Sequence, residues 1–417
     1  MDVDLDRVRA LRVLGRGAMG TVFLVSDAGS GTRYALKVFD KRSGKPGADR
    51  RAHWEVSLLS RLAQNPAAHL PSLLGSAETP DLLAWAVPYC PGGDLNELRY
   101  ALPDRVFSPA AIRFYVAEVV SALADLHAAG VVYRDLKPEN VLLRADGHVT
   151  LTDFDLSRFL PTSPSSSPPP PSSSRPPVFA RRRRHAEKRE QPPLPSAAPS
   201  TTPKQQFQTL VRFLMRSGNG AGGAMDNLLG KKAKSARVSP AVKPAACSGR
   251  SYSFVGTEEY VAPEMIRGEG HGLAVDWWAV GILIHEMAYG RSPFKGRNRK
   301  ETFRNVLHMD LEFPGDARRR TPELADLVSR LLERDPARRL GFGGGADEVR
   351  AHPFFSGVDW EMLAEVSRPP YIPPPADHQD EAAAGGEGFD VRDYFTKLHQ
   401  PTPPESGRNS SDFSSEF

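Results

Sequence analysis

The 417-residue sequence has only two cysteines, Cys90 and Cys247. Two thiols cannot staple a secreted scaffold, and they offer no zinc-ligand spacing. No apolar run reaches the roughly 18 residues that a membrane span needs. The first residues, Met1-Asp-Val-Asp-Leu-Asp6, are acidic and lack a signal-peptide core. The sequence therefore reads as a soluble protein of a reducing compartment. Acidic residues are scarce in one stretch. Between Pro161 and Arg250 there are 3 Asp and Glu against 16 Lys and Arg, whereas the rest of the chain has 47 against 38. An acidic body with a basic insert points to a cationic ligand for the body and an anionic partner for the insert.

Proline is abundant, at 38 residues, and clustered: positions 161–200 hold 12 Pro and 9 Ser. Such a segment cannot bury enough apolar surface to offset its ordering entropy. Residues 161–250 are therefore expected to be a mostly disordered insertion. The composition of 11–160 and 251–355 is ordinary, and the whole chain is too long for one compact core. From about Arg368 the chain is again rich in Pro, Gly and Ser, as expected of a tail lying on a surface.

The first ordered piece reads as strands. Leu11–Leu14 and Thr21–Val25 flank a glycine-rich turn, Tyr34–Phe39 alternates like a third strand, and Arg50–Leu62 reads as a helix. The second piece is helical. Ser108 is a good N-cap with Pro109 behind it, and Ile112, Tyr115, Val116, Val119, Val120, Leu123 and Leu126 fall at helical spacing up to Gly130. Val141–Leu143 and His148–Leu151 flank Asp146-Gly147, a hairpin signal.

Gly15-Arg-Gly17-Ala-Met-Gly20-Thr-Val22 would let backbone N–H groups approach phosphate oxygens, although a flexible hairpin reads equally well. It lies between two strands, which argues against a dinucleotide fold. Lys37 on the third strand needs an anion if it points inward. A phosphate and Glu55 on the next helix would supply it, the alternative for Glu55 being a solvated helix residue. Tyr133-Arg-Asp135-Leu-Lys137-Pro-Glu139-Asn140 then offers a proton acceptor in Asp135, a neutralising cation in Lys137 and a neutral oxygen donor for Mg²⁺ in Asn140. Asp153, in Thr152-Asp-Phe-Asp155, is the anionic Mg²⁺ ligand. Two oxygen ligands beside a phosphate cradle are what an ATP–Mg²⁺ site requires.

Together these residues resemble the protein-kinase signature set, from about Leu11 to Phe355 without the insertion. The resemblance implies an α+β, two-lobed protein-kinase fold, with a β-rich small lobe carrying one key helix and a mostly helical large lobe. It places residues 1–90 in the small lobe, 91–160 and 251–355 in the large lobe, 161–250 in an activation-segment insertion and 356–417 in a C-terminal tail. Glu264, in Ala262-Pro-Glu264, is the expected ion-pair partner of Arg339, and Asp276–Gly281 matches the helix that follows. Tyr133 where most kinases have His, and Asp153-Phe154-Asp155 for Asp-Phe-Gly with a long insertion after it, resemble the plant group VIII branch of the AGC kinases. Among these, the short UNICORN and oxidative-signal-inducible kinases are similar in length. Asp155 is expected to matter little, because Asp tolerates unusual backbone angles.

Further roles follow from the same resemblance. Val22, Ala35, Val87, Tyr89 and Leu142 would form the adenine slot, although each also fits a plain core. Lys137 and Thr257 imply serine/threonine specificity. Asp94 and Glu139 would hold basic residues of a substrate, with a ribose contact or a plain surface charge as the alternative for Asp94. Ser253 matches the activation-loop phosphoacceptor, and its phosphate would pair with Arg134. Arg368–Pro374 fits the segment that wraps the lobes, and Phe389-Asp390 with Tyr394-Phe395 the part that approaches the nucleotide. Phe413-Ser-Ser-Glu-Phe417 resembles a hydrophobic motif that docks on this chain's own groove or on an upstream phosphoinositide-dependent kinase. It has three residues between the aromatics where two are usual, and a frayed terminus is the alternative. In the insertion, Arg181–Arg184 with Lys188-Arg189 offer a nuclear address or a contact for anionic lipid. Gln206–Arg216 offers a membrane-surface helix, and a solvated basic linker fits both stretches as well. No stacking aromatics accompany these charges, so no specific nucleic acid is expected. The compartment expected is cytoplasmic, with the nucleus and the plasma-membrane periphery as further addresses. A scaffold without activity is the competing reading, against which Lys37, Glu55, Asp135, Asn140 and Asp153 are all in place.

Overall fold

The computed structural model describes residues 3–17, 19–43, 46–160, 257–366, 369–373 and 388–399. The insertion, Ser253 and Phe413–Phe417 lie outside the described residues.

The first lobe is a five-stranded antiparallel sheet of order β1-β2-β3-β5-β4, with β1 Val8–Gly17, β2 Gly20–Asp27, β3 Arg33–Asp40, β4 Gly75–Glu78 and β5 Leu82–Val87. Its register decides what each face carries, because side chains alternate along a strand. Val22, Lys37 and Trp85 stand in one row across three strands, and Ala35 faces Val87 in the next. This is the cleft face. Phe23, Val25, Leu36, Val38, Ala84 and Ala86 point the other way and form a separate core with Val391 and Phe395. Those two belong to a tail helix, Val391–Leu398, capped by Asp390. A 15-residue helix, α1 (Ala48–Leu62), follows β3 and buries Ala52, Glu55, Leu58, Leu59 and Leu62 at helical spacing.

The second lobe is helical. Helices α2 (Leu95–Ala101) and α3 (Pro109–Ala128) come first. Ser108 caps α3 as expected, its hydroxyl accepting the Ala111 N–H at 3.2 Å. Helix Ala274–Tyr289 runs through the middle of the lobe, with Trp277, Trp278, Ile282, Leu283 and Ile284 fully buried. A helix apolar on all sides has to be enclosed on all sides. The expected hairpin forms between Val141–Leu143 and Val149–Leu151. Its turn holds Gly147 at φ 84°, where a Cβ would come within 2.4 Å of the Tyr371 carbonyl oxygen. Tail residues 369–373 thus lie across this hairpin.

The tail departs from expectation at its next stretch. Phe389, Tyr394 and Phe395 do not face the cleft. Their rings meet Phe23 edge-on at 6.0, 5.0 and 6.0 Å on the outer face of the sheet. The reason is the alternation of β2, which leaves Phe23 uncovered unless something packs over it. Arg16 stacks on Tyr394 at 5.5 Å, and Ala10 and Phe389 exchange backbone hydrogen bonds at 2.9 Å, so this stretch is joined to the β1–β2 hairpin from its outer side.

Candidate active site

The glycine-rich segment is the tip of the β1–β2 hairpin, with Gly17 opposite Gly20 and Gly15 opposite Val22. Its glycines have different reasons to be glycine. Gly20 sits at φ 125°, and a Cβ there would lie 2.2 Å from the Val38 carbonyl oxygen. Gly15 and Gly17 have no left-handed φ, and a Cβ on either would meet nothing within 4 Å. Packing within the protein accounts for the first and leaves the other two open to an external group.

Below this hairpin, Lys37 Nζ lies 2.8 Å from Glu55 Oε2 and 2.9 Å from Asp153 Oδ1. The Lys37 and Glu55 side chains are 14% and 3% exposed, whereas Asp153 is 35% exposed and open to the cleft. Burial alone would lower the Lys37 pKa, but the two carboxylates outweigh it and hold the amine above the ordinary lysine range. Burial pushes Glu55 up to about 7 against the pull of Lys37. Asp153 is also penalised by burial, yet Lys37 keeps it below the usual carboxylate value.

A second cluster lies near enough for the charge of its Lys137 to lower the Asp153 pKa further. Asp135 Oδ2 accepts from Lys137 Nζ at 3.0 Å and from Asn140 Nδ2 at 2.9 Å, and Thr257 Oγ1 donates to Asp135 Oδ1 at 3.2 Å. Lys137 Nζ also reaches Thr257 Oγ1 at 3.1 Å. Asn140 spends its N–H donors on the Asp135 carboxylate and carbonyl. Its side-chain carbonyl oxygen is thereby left as an acceptor.

This geometry needs backbone that few residues adopt. Arg134 and Asp153 both have positive φ, 72° and 56°. Such strain persists only where the surroundings over-determine it. Asp276, fully buried on the central helix, does this for the first. Its two oxygens accept the Tyr133 and Arg134 N–H groups at 2.9 and 2.8 Å, and His127 Nε2 sits 2.8 Å from the same carboxylate. Tyr133 is buried and donates its hydroxyl to the Thr152 carbonyl, tying this loop to the one before Asp153.

Residues 8–173 and 238–355 match the family described as Protein kinase domain. The chain belongs to the protein kinase family. It is 47% identical to the serine/threonine-protein kinase UCN of Arabidopsis thaliana over 97% of this chain and 93% of that one. It is 39% identical to Arabidopsis OXI1 over 98% and 89%. Identity to the rice protein kinase PINOID is 38%, over 88% and 69%.

Val22, Ala35 and Val87 share the sheet face with Lys37, and Leu142 bridges to Asp94 beneath them. The Tyr89 hydroxyl accepts from Arg12 Nη2 at 2.8 Å. Asp94 caps α2, accepting the Glu97 N–H at 2.8 Å, and Glu139 accepts from Asn96 Nδ2 at 3.2 Å. Burial raises both carboxyls. A third carboxylate, Glu286, escaped the sequence reading. It raises the Glu139 pKa further and pairs with Arg99 at 3.0 Å. Glu264 and Arg339 form a buried bidentate pair at 2.7 and 2.9 Å. Arg134 donates through Nε to the Leu156 carbonyl at 2.7 Å, and Ser253, its expected partner when phosphorylated, lies outside the described residues.

Asp155 requires a correction. The expectation that Asp155 matters little because Asp tolerates unusual angles loses its ground, since the left-handed residue of the run is Asp153. Asp155 is instead held by Arg51 of α1, Nη1 to Oδ2 at 3.1 Å. No three His, Cys, Asp or Glu side chains gather as a metal cage among the described residues. One carboxylate and one amide oxygen nevertheless suit Mg²⁺, which takes most of its remaining oxygens from water and phosphate.

Proposed function

We propose that this chain transfers the γ-phosphoryl group of ATP to serine or threonine hydroxyls in basic protein segments. The observation that carries this reading is a pair of neighbouring clusters, Lys37 clamped by Glu55 and Asp153, and Asp135 held by Lys137, Asn140 and Thr257, with the Lys137 charge acting on Asp153.

Lys37, fixed by Glu55, would orient the phosphates beneath the hairpin of Gly15, Gly17 and Gly20. Val22, Ala35, Val87, Tyr89 and Leu142 would enclose the adenine. Asp153 and Asn140 would hold Mg²⁺, which when bound neutralises phosphate charge. Asp135 would accept the proton of the attacking hydroxyl, and Lys137 would offset charge on the group in transit. Thr257 already presents a hydroxyl to Asp135, which supports acceptance of a small aliphatic alcohol there. The names of the relatives point the same way. Asp94 and Glu139 would supply the negative charge that a basic segment meets, with Glu286 beside them already paired to Arg99. Ser253 remains the proposed regulatory phosphoacceptor. The sequence supports an upstream phosphoinositide-dependent kinase docking Phe413–Phe417 and anionic lipid meeting Arg181–Arg184. No helix among the described residues is long and apolar enough to cross a membrane, and the proposed setting is the cytoplasm, with access to the nucleus and the membrane periphery.

The test is transfer of labelled phosphate to a basic serine/threonine peptide. Asp135→Asn should lower turnover by about 10²–10⁴-fold while retaining ATP binding. If the wild type binds ATP and transfers nothing, the chain is a scaffold.

A further inference from the structure

Helix α1 is fastened to the Asp153-Phe154-Asp155 run at two points. Glu55 reaches Asp153 through Lys37, and Arg51, one turn earlier on the same helix, reaches Asp155 directly at 3.1 Å. The Asp155 side chain is 5% exposed and that of Arg51 33%. The contact continues along the helix. Trp54 Nε1 donates to Ser157 Oγ at 3.1 Å, and the Trp54 ring meets Phe159 edge-on at 5.3 Å. Arg158 stacks on Trp54 at 5.1 Å and Arg61 on Phe159 at 4.6 Å. Every other turn of this seam is hydrogen-bonded or aromatic. Among the described residues, Arg51–Asp155 is the direct charge pair between this helix and the run, the Glu55 contact passing through Lys37. A glycine at 155 would have no carboxylate to offer.

We propose that Asp155 is a positioning residue: through Arg51 it holds α1 at the depth where Glu55 reaches Lys37. It thus governs phosphoryl transfer without touching substrate. A partly buried pair suits this task, because removing one partner strands the other charge and the helix must move to hydrate it. The inference rests on the kinase reading above.

The test uses the full chain. Arg51→Met, Asp155→Asn and the double variant are compared in kcat/KM for ATP and in amide hydrogen exchange along α1. Each single variant should lose about tenfold in kcat/KM, and the double variant about the same rather than a hundredfold, because one interaction is removed in all three. Arg51→Lys should recover most of the loss. Amides of residues 52–62 should exchange faster in both single variants, while helix Ala274–Tyr289 keeps its protection. Arg50→Met, one position away, should behave as wild type. Wild-type turnover and exchange in Arg51→Met would overturn the proposal, as would multiplicative losses in the double variant. If the wild type transfers no more phosphate than Asp135→Asn, the kinase reading fails instead, and the exchange data still decide whether the pair holds α1.

Discussion

At the scale of residues, the glycine hairpin separates two demands that look alike in sequence. Gly20→Ala should destabilise the fold by about 3 kcal/mol, since the methyl group meets the Val38 carbonyl and the backbone is left-handed. Gly17→Ala should change stability by less than about 0.5 kcal/mol, because nothing stands in its way. It should instead weaken nucleotide binding, where phosphate and methyl compete for one space. Thermal melts and ATP titrations of the two variants check this. A stable Gly20→Ala would show that the strand edge can yield. The sequence pattern marked both glycines as members of one motif, and the structure separates the one that the chain's own packing requires from the one that it leaves open. The same holds for charged residues. Lys37 and Glu55 were legible, because an inward lysine on a strand requires an anion and the next helix carries one. The pairing of Glu264 with Arg339 was legible only through family resemblance. Arg51 was invisible, since an arginine near a helix start reads as solvated until its partner is located 104 residues away.

Among elements, strand and helix periodicity placed β2, β3, α1 and α3 correctly, with ends extended by a few residues. The tail was misread for a physical reason. Its aromatics announce that something apolar must be covered, but not which side of the sheet lies bare. Phe395, 2% exposed, closes that outer core together with Val391. Phe395→Ala should cost about 3–5 kcal/mol, read as a lowered denaturation midpoint in urea. ATP affinity at saturating folded protein should hold, because the ring faces away from Lys37. Loss of ATP affinity without loss of stability would mean that the tail helix does reach the nucleotide.

For the molecule as a whole, one buried histidine links stability to pH. His271 is 3% exposed, its Nε2 has no partner among the described residues, and burial together with the Arg134 charge lowers its pKa from 6.5 to about 4. The unfolded chain takes up this proton below about 6.5, the folded chain only near 4. The contribution to stability is therefore whole above 6.5 and declines as pH falls toward 4. Melting temperature recorded across that range should fall less steeply for His271→Gln than for wild type. Parallel curves would remove His271 from the acid sensitivity of the fold.

Asp276 receives the amides of Tyr133 and Arg134 from positions 143 and 142 residues upstream. A ribosome that has delivered residues 1–160 has already made every side chain assigned here to the triphosphate, but not the carboxylate that bends the loop carrying Asp135. The first half alone therefore lacks the acceptor that sets that loop, just as its sheet lacks Val391 and Phe395 over its outer face. Competence arrives late in synthesis, when the helix beginning at Ala274 emerges. A translation product truncated anywhere before that helix would be an inert fragment rather than an unregulated enzyme.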